Sequence, residues 1–253
     1  MNAATLLLCP HEDRYITGSE IVADGGNEIM KICKKMLGEM EYIIRYPINY
    51  DKKKTYPVLV FMHGAGTRGN DINKVLENLF FKITDEYNDF PFVTIAPLCH
   101  KNTWFDLYET VIKLINYIYN SDFTDKNRFY AMGASMGGYA VWQMAMSYPK
   151  LFAAIVPICG GGMYWNAGRL KNVPVWAFYG DSDTVVNVME SAKMTDAIIH
   201  CGGQAKLTIY KDRDHDSWTQ TYSNPEVFEW LLSNKNKNED IESDGLNDSK
   251  IYG

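Results

Sequence analysis

The sequence predicts one α/β domain, a mostly parallel sheet with helices on both faces. Three observations point there. Short apolar runs alternate with helix-like stretches from Tyr42 onward. The chain of 253 residues is 46% hydrophobic and 13% aromatic, enough to build a substantial core. The runs are short and continuous, as strands buried on both sides require.

The elements follow in order. Glu41 to Tyr46 and Val58 to Met62 read as strands, separated by the charged turn Asn49 to Thr55. A helical pattern covers Lys74 to Ile83, and a strand covers Phe92 to Ala96. Leu107, Val111, Leu114, Ile115 and Ile118 recur at the spacing of one helix face over Leu107 to Tyr119. A strand at Arg128 to Met132 leads to a helix from Gly137 to Ser147, then a strand at Ala153 to Ile158. Val175 to Tyr179 and Lys206 to Tyr210 are strands, with a helix at Val188 to His200 between them. Asn224-Pro225 caps a last helix, Glu226 to Leu232. These assignments place the main domain at residues 41–233. The first 40 residues form a lead-in, with Ile29 to Met40 open between a helix and an irregular segment. Residues 234–253 hold three lysines, five acids and four asparagines with few apolar groups, which predicts a disordered acidic tail.

Charge and composition exclude several classes. Twenty-five basic against 31 acidic residues give a net charge of −6, a poor match to nucleic acid or an anionic membrane surface. No apolar run reaches the ~20 residues that cross a bilayer. The N-terminus lacks a basic leader and its apolar stretch is short for a signal peptide, which predicts a cytoplasmic protein. The five cysteines are scattered without a CxxC pair. That spacing indicates neither a zinc site nor a disulfide framework, only free and mostly buried thiols.

The sharpest chemical signal is Gly133-Ala134-Ser135-Met136-Gly137, set between a strand and an amphipathic helix. A strand turning sharply into a helix lifts the central hydroxyl above the sheet, and a Cβ at Gly133 or Gly137 would collide with the turn. Ser135 is thus a candidate nucleophile, the competing reading being a capping serine at a Gly-rich helix start. His63-Gly64-Ala65-Gly66 follows a strand, where the Ala65 and Met136 N–H groups would bind an oxyanion. No lysine follows at the spacing of a phosphate-binding loop. His63 comes too early in the chain for the acid-then-histidine order behind the serine, so it reads as structural. Asp183, with Asp181 as alternative, and His215 follow the next strands in that order. Three further acids, Asp212, Asp214 and Asp216, flank His215.

These motifs together resemble the α/β-hydrolase superfamily, and more closely the bacterial esterases labelled predicted peptidases or prolyl-oligopeptidase-like hydrolases. Those are similar to the feruloyl and acetyl esterases of carbohydrate esterase family 1. The resemblance covers about Tyr42 to Ser233, including Tyr148-Pro149, Pro157 to Gly162, Pro174 to Phe178 and His215-Asp216-Ser217-Trp218. It implies an α/β-hydrolase fold with Ser135 as nucleophile, Asp183 as acid, His215 as base, and Ala65 and Met136 as oxyanion donors. Thr67 departs from the pattern, standing where an acid is frequent, and Tyr179 stands where a histidine often precedes Gly-Asp.

The expected activity is hydrolysis of small acyl esters (acetyl, feruloyl or other short or phenolic ones, with or without a sugar) through an acyl-enzyme, with no metal or organic cofactor. A peptidase of the same type and a non-catalytic binding protein are the alternatives. Only 16 residues separate Ile158 from Val175, which leaves no room for a large cap domain. Gly160 to Asn166 is expected to form one wall of an open cleft, with Trp104, Trp165 and Trp218 as candidate substrate-binding aromatics. The acids near His215 would disfavour strongly anionic substrates. The expected partner is a small ester, with neither nucleic acid nor membrane.

Overall fold

A computed structural model describes residues 19–21, 31–87 and 89–236. Nine strands form one sheet: β1 (Ser19–Ile21), β2 (Ile32–Leu37), β3 (Met40–Arg45), β4 (Tyr56–Met62), β5 (Val93–Pro97), β6 (Thr124–Ala134), β7 (Ala154–Ile158), β8 (Val175–Gly180) and β9 (Ala205–Tyr210). Their spatial order is β1-β2-β3-β5-β4-β6-β7-β8-β9. The first three strands join antiparallel, and β5 through β9 with β4 run parallel.

The parallel strands are buried on both faces, and their side chains divide by alternation. Val58, Val60 and Met62 of β4 enter one core with Phe129 and Ala131 of β6. Leu59 and Phe61 enter the other with Tyr130 and Met132. The first core is covered by α3 (Tyr108–Tyr119), α4 (Met136–Ser147) and α5 (Met189–His200). The second is covered by α1 (Asn73–Leu76), α2 (Leu79–Thr84), α6 (Trp218–Tyr222) and α7 (Pro225–Ser233). Among the described residues, no helix is long and apolar enough to cross a membrane.

The structure departs from the sequence reading in four places. Residues 32–37 are a strand paired with β3, so the sheet begins before residue 41 and that stretch is neither helix nor irregular lead-in. The helix expected over Lys74 to Ile83 breaks in two, because Asn78 takes an extended conformation and its side chain accepts from the Phe80 N–H, capping α2. β6 starts at Thr124, four residues before the expected start at Arg128. Asn234 to Asn236 pack onto the domain, the Tyr130 hydroxyl donating to the Asn234 carbonyl and the Asn236 N–H to Asn127; the rest of the expected tail lies outside the described residues.

One buried charge sits in the second core. Arg45, at the end of β3, is fully buried, with its guanidinium over the Phe81 and Phe90 rings at 4.8 Å. Its Nη1 reaches Asp85 at 2.6 Å. Burial lowers the guanidinium to about 10, and the Asp85 charge opposes that fall. Removing one partner of such a pair strands the other, although Asp85 is half exposed, which reduces the effect. Asp85→Ala is expected to lower unfolding stability by about 1–3 kcal/mol, measured by urea denaturation. A loss within ~0.5 kcal/mol would assign the holding of Arg45 to the phenylalanine rings instead.

Candidate active site

Three loops leave the carboxyl ends of β6, β8 and β9, parallel strands of the one sheet, and meet. The first is the turn from β6 into α4. Ser135 has φ 56° and ψ −120°, a conformation that L-residues avoid and that costs roughly 1–3 kcal/mol. Its N–H is anchored to the Ile158 carbonyl of β7 at 2.9 Å. A Cβ on Gly137 would collide with the Met62 carbonyl, and one on Gly133 would lie 2.6 Å from the Gly137 carbonyl oxygen. Both glycines are therefore required by the close approach of β4 to the turn.

The second loop follows β8, and the third joins β9 to α6. They interlock, since the Ser182 N–H donates to the Arg213 carbonyl at 2.9 Å and a Cβ on Gly180 would strike the Asp214 carbonyl. This crossing brings Asp183 to His215. Asp183 Oδ2 lies 2.8 Å from His215 Nδ1, and His215 Nε2 lies 2.8 Å from Ser135 Oγ. Asp183 Oδ1 accepts from the Val185 and Val186 N–H groups at 2.8 and 2.9 Å, so the carboxylate is fixed from both sides. Its side chain is fully buried, whereas that of His215 is 19% exposed.

The competing acids point elsewhere. Asp181 is exposed and accepts from the Ser182 hydroxyl. Asp216 caps α6 by accepting from the Thr219 N–H and hydroxyl. Asp212 and Asp214 are exposed. Of the acids near the histidine, only Asp183 is in hydrogen-bond contact with its ring among the described residues.

Residues 63–66 lie against the serine turn: a Cβ on Gly64 would be 3.7 Å from Ser135 Cβ. Ala65 opens a 3-10 turn and Met136 opens α4, positions whose N–H groups have no acceptor within their own helix. Arg68 holds the loop by donating to the Ala65 and Asn102 carbonyls. His63 is fully buried and ties the loop to the end of β5, its Nε2 accepting from the Cys99 N–H and its Nδ1 lying 2.7 Å from the Gly64 carbonyl.

One of the three candidate tryptophans takes another role. Trp104 is not a substrate-facing aromatic: it is 1% exposed and donates its indole N–H to the His63 carbonyl at 2.9 Å. Trp218 meets the His215 ring edge to face at 5.3 Å and buttresses it. Trp165 is 73% exposed and pairs with half-exposed Tyr164 at 5.3 Å, in a 3-10 segment over Tyr164–Leu170.

Two further residues, assigned no role in the site from the sequence, neighbour it. Tyr179, at the end of β8, is buried beside Asp183, and its hydroxyl has no hydrogen-bond partner among the described residues. Cys159, just after β7, is fully buried, and its Sγ lies within 4.8 Å of the Asp183 and His215 ligand atoms. Burial pushes its thiol up to about 12, so it stays protonated at neutral pH and does not compete with Ser135 as a nucleophile.

Comparisons with known proteins agree with this architecture. The prolyl oligopeptidase family matches residues 101–167, a segment that holds Ser135 but neither Asp183 nor His215. A probable dipeptidyl-peptidase 5 of Aspergillus flavus is 23% identical over 248 residues, covering 76% of this chain and 33% of that protein. The chain thus spans about a third of the length of such a relative. A thermostable esterase superposes with a TM-score of 0.68 at 29% identity, over 87% of this chain and 63% of that one. A ferulic acid esterase superposes with a TM-score of 0.62 at 15% identity, over 86% and 98%. The fold is that of the α/β-hydrolases, as the motifs implied.

The buried histidine has a measurable consequence. Burial pushes His63 from 6.5 down to about 4; its contact with the Gly64 carbonyl opposes that shift and the Arg68 charge adds to it. As pH falls from about 6.5 to 4, the unfolded chain takes up this proton first, so stability is lost through that window. The full contribution is on the order of 3 kcal/mol. His63→Gln is expected to flatten the decline of unfolding free energy between those pH values. An unchanged slope would place the titration on other groups.

Proposed function

We propose that this α/β-hydrolase is a serine carboxylic ester hydrolase that works through an acyl-enzyme. The observation that carries the reading is the continuous line of hydrogen bonds from Asp183 through His215 to Ser135. In this mechanism His215 Nε2 takes the Ser135 proton as the oxygen attacks an ester carbonyl. Asp183 holds the ring in the Nδ1–H tautomer and stabilises the imidazolium. The Ala65 and Met136 N–H groups receive the oxyanion, helped by the positive end of α4. His215 then returns the proton to the departing alcohol, and a water deprotonated by the same nitrogen cleaves the acyl-enzyme. The residues present complete this cycle with side chains and backbone alone.

A small acyl group with a flat or apolar part is the substrate this reading favours, on the exposed apolar side chains of the segments that follow β7 and β8. Tyr164 and Trp165 offer exposed aromatic faces, and Val185 and Met189 are exposed beyond Asp183. Phenolic or sugar-linked acyl esters match such surfaces, since ring stacking buries apolar area at little entropic cost. A second reading, a serine peptidase, is favoured by the names of the dipeptidyl-peptidase relatives and by the prolyl oligopeptidase match. Turnover of aryl, acetyl and feruloyl esters, compared with chromogenic peptides, separates the two. Ester cleavage with peptide turnover absent supports the first, and the converse overturns it.

Two substitutions test the machinery. Ser135→Ala is expected to lower turnover by at least ~10⁴-fold with the fold intact, and to abolish labelling by a fluorophosphonate. Near-normal hydrolysis by that variant would remove Ser135 from the reaction. Asp183→Asn is expected to lose on the order of 10³–10⁴-fold by favouring the wrong tautomer, with Asp181→Asn within about threefold of the parent. The reverse ranking, read from kcat, would reassign the acid.

A further inference from the structure

Three side chains of different chemistry meet beside the His215 ring. Cys159 Sγ, a carboxylate oxygen of Asp183 and a ring nitrogen of His215 all lie within 4.8 Å of one another. They follow β7, β8 and β9 respectively, so the order of three neighbouring parallel strands assembles them. Cys159 is held at φ 39°, its N–H bonded to the Phe178 carbonyl at 2.8 Å, a strained conformation that fixes where the thiol stands.

We propose that Cys159, Asp183 and His215 form a site for a thiophilic divalent cation, Zn²⁺ by its ligand chemistry, and that filling it switches the serine off. Thiolate, imidazole and carboxylate are the three ligand types zinc takes, with bonds of about 2.0–2.3 Å. Tetrahedral ligands at those lengths stand roughly 3.3–3.8 Å apart. The present spacing, 2.8 Å between Asp183 Oδ2 and His215 Nδ1 with no pair beyond 4.8 Å, brackets that range. Side-chain shifts of about 1 Å therefore close the site. Nε2 faces Ser135, so Nδ1 is the nitrogen offered to the ion.

The step balances without a redox partner. The cation forms bonds to Sγ, Nδ1 and a carboxylate oxygen, the thiol and Nδ1 each release one proton to solvent, and water completes the coordination. Once Nδ1 is bound to the ion, Asp183 no longer stabilises a positive ring, and the adjacent dication opposes protonation of Nε2. Ser135 then keeps its proton. The inhibitory half of the proposal rests on the esterase reading, whereas cation binding does not.

The test uses the full chain and two readouts. Co²⁺ as a spectroscopic probe is expected to give one equivalent of thiolate-to-cobalt charge-transfer absorption, retained in Cys201→Ser and lost in Cys159→Ala. Zn²⁺ is expected to inhibit ester hydrolysis at least ~10-fold, reversibly with EDTA, and Cys159→Ala is expected to be at least ~10-fold less sensitive while keeping its basal turnover. Absence of the cobalt–thiolate band in the parent, its persistence in Cys159→Ala, or equal zinc sensitivity of parent and variant overturns the proposal. The last result would move the inhibiting ion to the exposed acids around His215. A parent that shows the band through Cys159 but cleaves no ester supports the cation site and overturns the esterase reading.

Discussion

The bond between Asp183 and His215 Nδ1 is the constraint on which the site depends. An imidazole has two nitrogens, and only one arrangement of its protons leaves Nε2 as an acceptor toward Ser135. A fully buried carboxylate at 2.8 Å selects that arrangement. The carboxylate is itself held by two backbone N–H groups on its other oxygen, which keeps Oδ2 turned toward the ring. The loops on either side are locked by the passage of Gly180 under the Arg213 and Asp214 carbonyls, a contact with no room for a side chain. Ring orientation, tautomer and reach to the serine thus trace back to one crossing of two backbones.

The loop at residues 63–66 is held on the same principle but by different means. It has little apolar surface of its own, so its position is set by polar contacts from beneath and beside it. His63 accepts from Cys99 below, Trp104 donates to the His63 carbonyl, and Arg68 ties Ala65 to Asn102. Keeping His63 neutral is part of that arrangement, since a protonated ring could not accept from the Cys99 N–H. The strain at Ser135 persists because the turn is bounded on every side, by the Ile158 carbonyl and by the backbone of β4.

Much of this was legible in the chain. Strong local signals carried the parallel strands, the serine turn and the Asn224-Pro225 start of α7, because each reports on its own few residues. The sequence favoured Asp183 and kept Asp181 as the alternative, since both carboxylates follow one strand; the structure puts Asp183 against the ring, its other oxygen held by the Val185 and Val186 N–H groups. The β2 strand was missed because Lys34 and Lys35 interrupt its apolar alternation, and its pairing with β3 overrides the weak local preference. Trp104 was misread for a related reason: an indole looks the same in sequence whether its N–H faces a substrate or a buried carbonyl. Cys159 gave no signal at all, because its neighbours at 183 and 215 are assembled by strand order alone.

The distinction between ester and amide is not drawn by the three central side chains, because the same histidine serves either leaving group. It is drawn by how much binding energy remains to be spent at the reacting bond. An amide is the harder substrate, so its cleavage leans more on groups that hold the rest of the molecule and lower the barrier through them. The 16 residues between Ile158 and Val175 supply one exposed aromatic pair, Tyr164 and Trp165. On the proposed reading, loops of this size hold a ring or a short chain and offer little to orient a longer peptide. An activated or naturally labile acyl group asks less of such loops, and the proposal of an ester substrate rests on that difference, which the loops set and the nucleophile does not.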